Sequence, residues 1–444
     1  MASTFLDKLA SFGERIAIYR DEASYTYSAL AEQAKDYLTT ISHLPPASQV
    51  AILGDYDFKN IAFFLALLHA KHTIIPITSE QELDSKLAES SAQYLFCHTH
   101  PTPLTPLTPA TTPTLKLSDA SGLILFSSGS TGKPKAMIHN LDNLLAQFQD
   151  KKTKQLNMLL FLMFDHIGGI NTLLNILSTA QSAIIPTNRK DIHHIASLIE
   201  RYKITILPTS PTFLNLMLLN NVHTQYNLTS LKMITYGTET MPQSLLENLQ
   251  RAFPKTRFLQ TFGTSEVGIM QTHSEASGSL FIKLSDPNIE YKIVEGELWI
   301  KSKTQVLGYL NASMESFVDG YFKTGDLVER KLVNGEEYIR IIGRAKEIIN
   351  IGGEKVLPQE VEGVILTLDG VLDCLIYGER NAITGQSITC EVLIDPTKLD
   401  PQSIKKTIRA HCKDKLQAYK IPTKVLCKDS LQTSARFKKK RILS

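Results

Sequence analysis

The chain has 444 residues, 43% of them hydrophobic and 20% charged, with a formal net charge of +3. That length exceeds one compact core and predicts two or three domains. So balanced a charge gives no bulk argument for a nucleic-acid partner. No apolar run is long enough to span a bilayer: the stretch from Ile61 to Leu68 is short and is bounded by Lys59, Asn60, His69 and Lys71.

Residues 1–21 read as an amphipathic helix entering a strand, without the apolar core or cleavage site of a signal peptide. Alanine at position 2 excludes N-myristoylation, and the terminal RILS is no lipidation box. Short apolar runs at 50–54, 73–77 and 94–97 alternate with helical patterns such as Phe58 to Ala70. Residues 98–114, rich in Thr and Pro, read as a loop or extended connector. The same alternation returns at 204–208, in a helix from Thr212, at 232–236, in a helix over 243–252, and at 257–261. This order predicts an α/β fold: a large N-terminal domain of parallel-rich sheets covered by helices. From about residue 281 the texture changes to strands and turns, predicting a β-rich subdomain. Beyond Gly343 and Arg344 we expect a small, mobile α+β C-terminal domain.

Five cysteines, Cys97, Cys374, Cys390, Cys412 and Cys427, are scattered and show no CxxC spacing. Neither a disulfide framework nor a zinc site follows, and free buried thiols in a reducing cytoplasm are expected. Between residues 401 and 444 the only acidic residues are Asp414 and Asp429, against many Lys and Arg. That basic face is either simply solvated or turned to an anionic substrate. We find no internal repeat.

After the apolar strand 123–126 come Ser127, Ser128, Gly129, Ser130, Thr131, Gly132, Lys133, Pro134 and Lys135. Small residues let backbone N–H groups approach an anion, hydroxyls add donors, and Lys133 and Lys135 add charge. The loop is either a polyphosphate cradle or a flexible Ser/Gly hairpin. A Walker loop is excluded, because Gly129 and Gly132 are too close and Pro134 follows Lys133. Ser130 and Lys133, with Lys323, Thr324 and Gly325, imitate a serine β-lactamase. Pro134 sits badly in the helix that such a pair needs, so this is a coincidence of short patterns.

At this loop the sequence resembles the adenylate-forming superfamily of acyl-CoA synthetases, peptide-synthetase adenylation domains and luciferases, whose loop reads [ST]SGSTGxPK. Further similar segments follow in the superfamily's order over residues 25 to 441, with a shorter N-terminal region between 75 and 121. Phe164 to Gly169 resembles the aromatic/His segment at the mouth of the acyl pocket. Thr235 to Glu239 resembles the strand end that contacts adenine and lines that pocket. Thr261 to Glu266 is similar to the superfamily's YGxTE. Tyr321 to Asp326 looks like its [WY][FY]xTGD, and Gly296 to Tyr309 like GELxIxGxxxxxGY, which makes Trp299 a packing residue. The run from Gly343 to Glu362 resembles the hinge and following loop, in a form closest to acyl- and aryl-CoA ligases. Leu416 to Pro422 fits the next element. Ser434 to Arg441 is the best fit to the terminal Gly-Lys-x-x-Arg, with Phe437 where Gly is usual.

The resemblance implies activation of a carboxylic acid with ATP and Mg²⁺ to acyl-AMP, then thioester formation with CoA or with a phosphopantetheinyl carrier protein. It implies that Phe262 stacks on adenine and that Ser265 binds phosphate. Glu266 would be both catalytic and the Mg²⁺ ligand. Asp326 would accept from the ribose hydroxyls and Arg344 would contact ribose or phosphate. It further places Gly237, Thr238, Glu239, Gly263 and Thr264 around the nucleotide. Lys346 would be the hinge, giving domains at 1–342 and 347–444 about residues 343–346, and Gly352 and Gly353 would admit a pantetheine arm. Lys438 is taken as catalytic, with Lys439 and Lys440 as the alternatives of register. Asp165, His166 and Tyr236 would line the acid pocket. Asp165 would either pair with a substrate ammonium or with His166, leaving fatty, aryl and amino acids open as substrates.

Overall fold

The computed structural model describes residues 2–99, 104–107, 117, 119–128, 134–432, 434, 437 and 439. Two seven-stranded sheets and the helices between them form the large N-terminal body. In the first, strands Arg257–Gln260, Met233–Tyr236, Ile206–Thr209, Asn157–Leu159, Ser182–Ile185 and Ile16–Arg20 run parallel, with Ala23–Thr26 added antiparallel at one edge. In the second, Gly122–Ser128, Thr73–Ile77, Gln49–Leu53 and Tyr94–Phe96 form a parallel centre flanked by antiparallel edges. The expected parallel-rich α/β body is therefore present. In the second sheet the central strands Thr73–Ile77 and Gln49–Leu53 are buried on both faces, as covered parallel strands require. Within the Thr/Pro-rich connector, Leu104–Pro106 adds an edge strand antiparallel to Tyr94–Phe96. Proline is tolerated there because an edge strand need not donate on both sides.

Helix Phe58–His69 lies between the layers and is apolar all round, from Ile61 to Leu68. It is a core helix, as its length predicts. It starts at Asp57, whose carboxylate accepts from the Asn60 N–H at 2.7 Å. Helix Ile167–Ser178 covers the first sheet, and helix Pro211–Leu219 begins on a Ser210 cap with proline in its first turn.

From residue 272 a separate antiparallel sheet forms, with Tyr321–Val333 and Glu336–Arg344 as its long hairpin. A final five-stranded sheet, centred on Val371–Asn381 and Gly385–Ile394, is backed by helices Pro358–Ile365 and Ile404–Lys413 around its own apolar core. The five thiols are free, and all but Cys427 are buried. Among the described residues no helix is long and apolar enough to cross a membrane.

His139, on strand Pro134–Asn140, is fully buried. Burial pulls its pKa down to about 4, and the nearby backbone of Thr304 and Ser265 offsets this only in part. Neither ring nitrogen reaches a partner in hydrogen-bonding geometry. Because the folded pKa lies below the unfolded value of 6.5, the unfolded chain takes the proton first. The fold should therefore lose up to about 3 kcal/mol as pH falls from neutrality through this window. Melting curves against pH should show that slope, and it should flatten in His139→Leu.

Candidate active site

The parallel strands of the first sheet all end on one side, where a cleft of ≈ 1570 Å³ opens. Such crevices beyond the carboxyl ends of strands are where α/β folds take ligands. The turn after Met233–Tyr236 supplies Gly237, Thr238 and Glu239, and the hairpin after Arg257–Gln260 supplies Phe262 to Glu266. Gly237 is required by space, since a Cβ would stand 2.9 Å from the Thr261 carbonyl oxygen.

The carboxylate of Glu239 accepts from the Thr212 hydroxyl at 2.6 Å and from the Lys439 backbone N–H at 2.6 Å. Opposite stand Asp326 and Arg344, cross-strand partners in the long hairpin. The Arg344 guanidinium donates to Asp326 at 2.8 Å through Nε, and more loosely through a second nitrogen at 3.5 Å. Asp326 is only 6% exposed, yet both residues border the cleft. Glu266 borders it too, and meets the Tyr309 hydroxyl only at a long 3.4 Å. Burial, reinforced by the Glu266 charge, pushes the Tyr309 hydroxyl well above its ordinary pKa, so it stays a donor. The Lys135 ammonium stands over the Tyr309 ring.

The C-terminal tail crosses this site. Phe437 buries its ring against Phe161 and Phe213, with centroids at 5.5 and 5.1 Å, and its carbonyl accepts from Ser210. Its φ of +52° is left-handed, a conformation in which a side chain costs about 1 kcal/mol. Ring burial offsets that cost here. The ammonium of Lys439 is committed to Asp373 at 2.5 Å and to the Cys374 carbonyl at 2.9 Å.

Cleft-lining residues thus include Ser127, His166, Gly237, Thr238, Glu239, Phe262, Gly263, Thr264, Ser265, Glu266, Asp326, Arg344 and Lys346. Ser128 ends the strand leading to the glycine-rich loop. Gly129, Ser130, Thr131, Gly132, Lys133, Lys438 and Lys440 lie outside the described residues. Gly352 and Gly353 form a turn between Ile349–Ile351 and Glu354–Val356 and do not line the cleft.

Two pocket expectations need correction. Tyr236 points into the sheet core and is 1% exposed, because the two-residue alternation turns Thr235 and not Tyr236 to the cleft. Asp165 is buried and does not line the cleft; it accepts from Lys86 at 3.1 Å. His166 does line the cleft, and its Nδ1 caps helix Ile167–Ser178 by accepting from Gly168 at 3.0 Å. Sequence reading missed Lys86, Thr212 and Asp373, which hold Asp165, Glu239 and Lys439. It also missed Asn171 and Asn175, whose i,i+4 spacing on an otherwise apolar helix was a readable signal.

The Lys86–Asp165 pair is almost wholly buried, with Glu82 reaching the ammonium from the surface and the Phe126 ring close by. Removing Lys86 takes the ammonium away from a carboxylate that stays buried. Lys86→Met should therefore cost about 3 kcal/mol, and adding Asp165→Leu should recover much of it. A double-mutant cycle in denaturant midpoints measures this.

The AMP-binding enzyme family model matches residues 107–310, and the AMP-binding enzyme C-terminal domain model matches residues 360–438. Acyl-CoA synthetase 7 of Caenorhabditis elegans is 29% identical over 66% of this chain and 59% of its own length. Probable CoA ligase CCL5 of Humulus lupulus is 27% identical over 59% of this chain and 52% of its own length. The matches thus span little more than half of these curated relatives. The fold is similar to that of the anthranilate CoA ligase AuaEII in complex with anthranoyl-AMP, with a TM-score of 0.83 at 19% identity, covering 99% of this chain and 97% of the other.

Proposed function

We propose that this chain, which belongs to the AMP-binding enzyme family, activates a carboxylic acid as acyl-AMP and passes the acyl group to the thiol of CoA. The observation that carries this reading is the convergence of Glu266, Ser265, the Asp326–Arg344 pair and the Glu239 turn on one cleft.

In the first step a carboxylate oxygen of the acid bonds to the α-phosphorus of ATP, and the bond to pyrophosphate breaks. No protein nucleophile is needed, so the residues act by position and charge. Asp326 offers acceptor oxygens to a ribose diol, and its hydrogen bond from Arg344 fixes their position. Phe262 borders the base side, and the hydroxyls of Thr264 and Ser265 serve phosphate oxygens. Glu266 suits Mg²⁺: it is a carboxylate bordering the cleft that, among the described residues, has only one long hydrogen bond. Among the described residues no cluster of metal-ligating side chains exists, which fits an ion that keeps waters and phosphate oxygens as its other ligands. Bound there, Mg²⁺ would supply charge neutralisation for the polyphosphate. The loop at 127–135 would cradle the departing phosphates.

We take Lys438 as the residue that bridges carboxylate and α-phosphate. Lys439 supports this by its engagement with Asp373. In the second step the thiol sulfur attacks the acyl carbonyl carbon and AMP leaves. We place a hinge at residues 343–346 between bodies at 1–342 and 347–444. Motion about Lys346, in the turn Ala345–Glu347, would bring Gly352 and Gly353 to the cleft. Helix Ile404–Lys413 exposes Lys405, Lys406 and Arg409, a face suited to an acceptor's phosphates. Buried free thiols fit a reducing compartment.

Pyrophosphate release with ATP and the activated acid should fall on the order of 10²–10³-fold in Lys438→Ala. In Lys439→Met it should fall only about tenfold, through a loosened tail. Equal losses would move the catalytic role to Lys439. Lys346→Pro, which fixes φ in the hinge turn, should spare adenylation and cut thioester formation at least about tenfold.

A further inference from the structure

Below the nucleotide end, the cleft continues between helix Ile167–Ser178 and the first parallel sheet. Ile206, Pro208, Met233 and Thr235 stand on one face of two adjacent strands and line it. In a close-packed helix-on-sheet contact these central positions would be fully buried, yet Ile206, Met233 and Thr235 keep partial exposure. A channel therefore separates helix from sheet. The helix wall is unexpected. Its body is Ile170, Leu173, Leu174, Ile176 and Leu177, all buried, but the stripe turned to the channel is Gly168, Asn171, Thr172 and Asn175. That i, i+3, i+4, i+7 spacing is one helix face, about 10 Å long at 1.5 Å per residue. One wall is thus apolar and the other carries amides.

The far end is cationic. Lys151 and Lys154 line it, just before the strand whose Met158 also faces the channel. The segment is pinned to the helix end by the Lys154 N–H donating to the Thr179 carbonyl at 2.8 Å. Lys151 is half-buried, with its ammonium 4.4 Å from the centre of the Phe148 ring. Burial, and then the charge of Lys154, depress its pKa, and the attraction of Asp286 opposes them. The Asp286 carboxylate is itself occupied by the N–H groups of Gln271 and Asn288. Lys154 is exposed beside the half-buried Lys151, and among the described residues neither ammonium makes an ion pair, an arrangement suited to an anionic ligand group.

We infer that the acid activated here is elongated and carries a second anionic group at its far end, received by Lys151 and Lys154, with Asn171 and Asn175 reading polar substituents along one edge. This rests on the adenylation reading above and specifies its substrate. A plain fatty chain would lay methylenes against the half-buried Lys151 and against the amides, at a cost in binding.

The test is ATP–pyrophosphate exchange with adipate and suberate beside hexanoate and octanoate, scored as kcat/KM. The dicarboxylates should win by at least about tenfold, mostly through KM. In Lys151→Gln/Lys154→Gln that ratio should collapse toward unity, and Lys151→Glu/Lys154→Glu should turn preference toward ω-aminohexanoate. Because each readout is a ratio within one protein, a loss of folded enzyme does not mimic it. Preference for the monocarboxylates, or a dicarboxylate preference that survives both double variants, overturns the inference and leaves adenylation standing. Exchange with no acid at all overturns the adenylation reading and this inference with it.

Discussion

The arrangement hangs on the Glu239 carboxylate. It stands at the end of a parallel strand and gathers the Thr212 hydroxyl from one helix and the Lys439 N–H from the C-terminal tail. A carboxylate so placed gains charge-assisted hydrogen bonds that a neutral residue would not give. It draws the tail over the cleft, and the tail then meets two further anchors. Phe437 enters an aromatic pocket of the large body, and the Lys439 ammonium reaches Asp373 of the C-terminal sheet. Phe437 and Lys439 thus touch both the large body and the C-terminal sheet. The left-handed φ at Phe437 is held by its aromatic pocket, and the buried ammonium of Lys439 by Asp373.

The cleft divides its charges by position. Asp326 and Arg344 are neutralised within one hairpin, which fixes their geometry before any ligand arrives. Among the described residues the Glu266 carboxylate meets only the Tyr309 hydroxyl, at 3.4 Å, and Lys151 and Lys154 make no ion pair. Paired charges hold shape, and uncompensated ones wait for a ligand. Asp165 belongs to the first class through Lys86, which explains why an acidic residue sits beside the pocket without entering it.

Much of this was legible in the sequence. The strands at 49–53, 73–77, 206–209, 233–236 and 257–260 are short apolar runs between helical patterns, and local pattern agrees with their burial. That Gly237, Phe262 to Glu266 and Asp326 share one cleft was legible because they sit in short runs whose order along the chain is distinctive. Placement inside the pocket was less so. Tyr236 and Thr235 are both plausible liners until strand register decides which faces out. Asp165 acquires its meaning from Lys86, 79 residues away, a pairing that only the fold creates. The amide stripe of Asn171 and Asn175 was visible as spacing, but its role needed the channel beside it.

The central claim is chemical: the acid's own oxygen attacks the α-phosphorus. Turnover of an acid labelled with heavy oxygen in its carboxylate, in the presence of ATP and CoA, tests this directly by mass spectrometry of the products. The account predicts AMP and pyrophosphate, with one labelled oxygen in the AMP. Label in inorganic phosphate, with ADP as the nucleotide product, would contradict it.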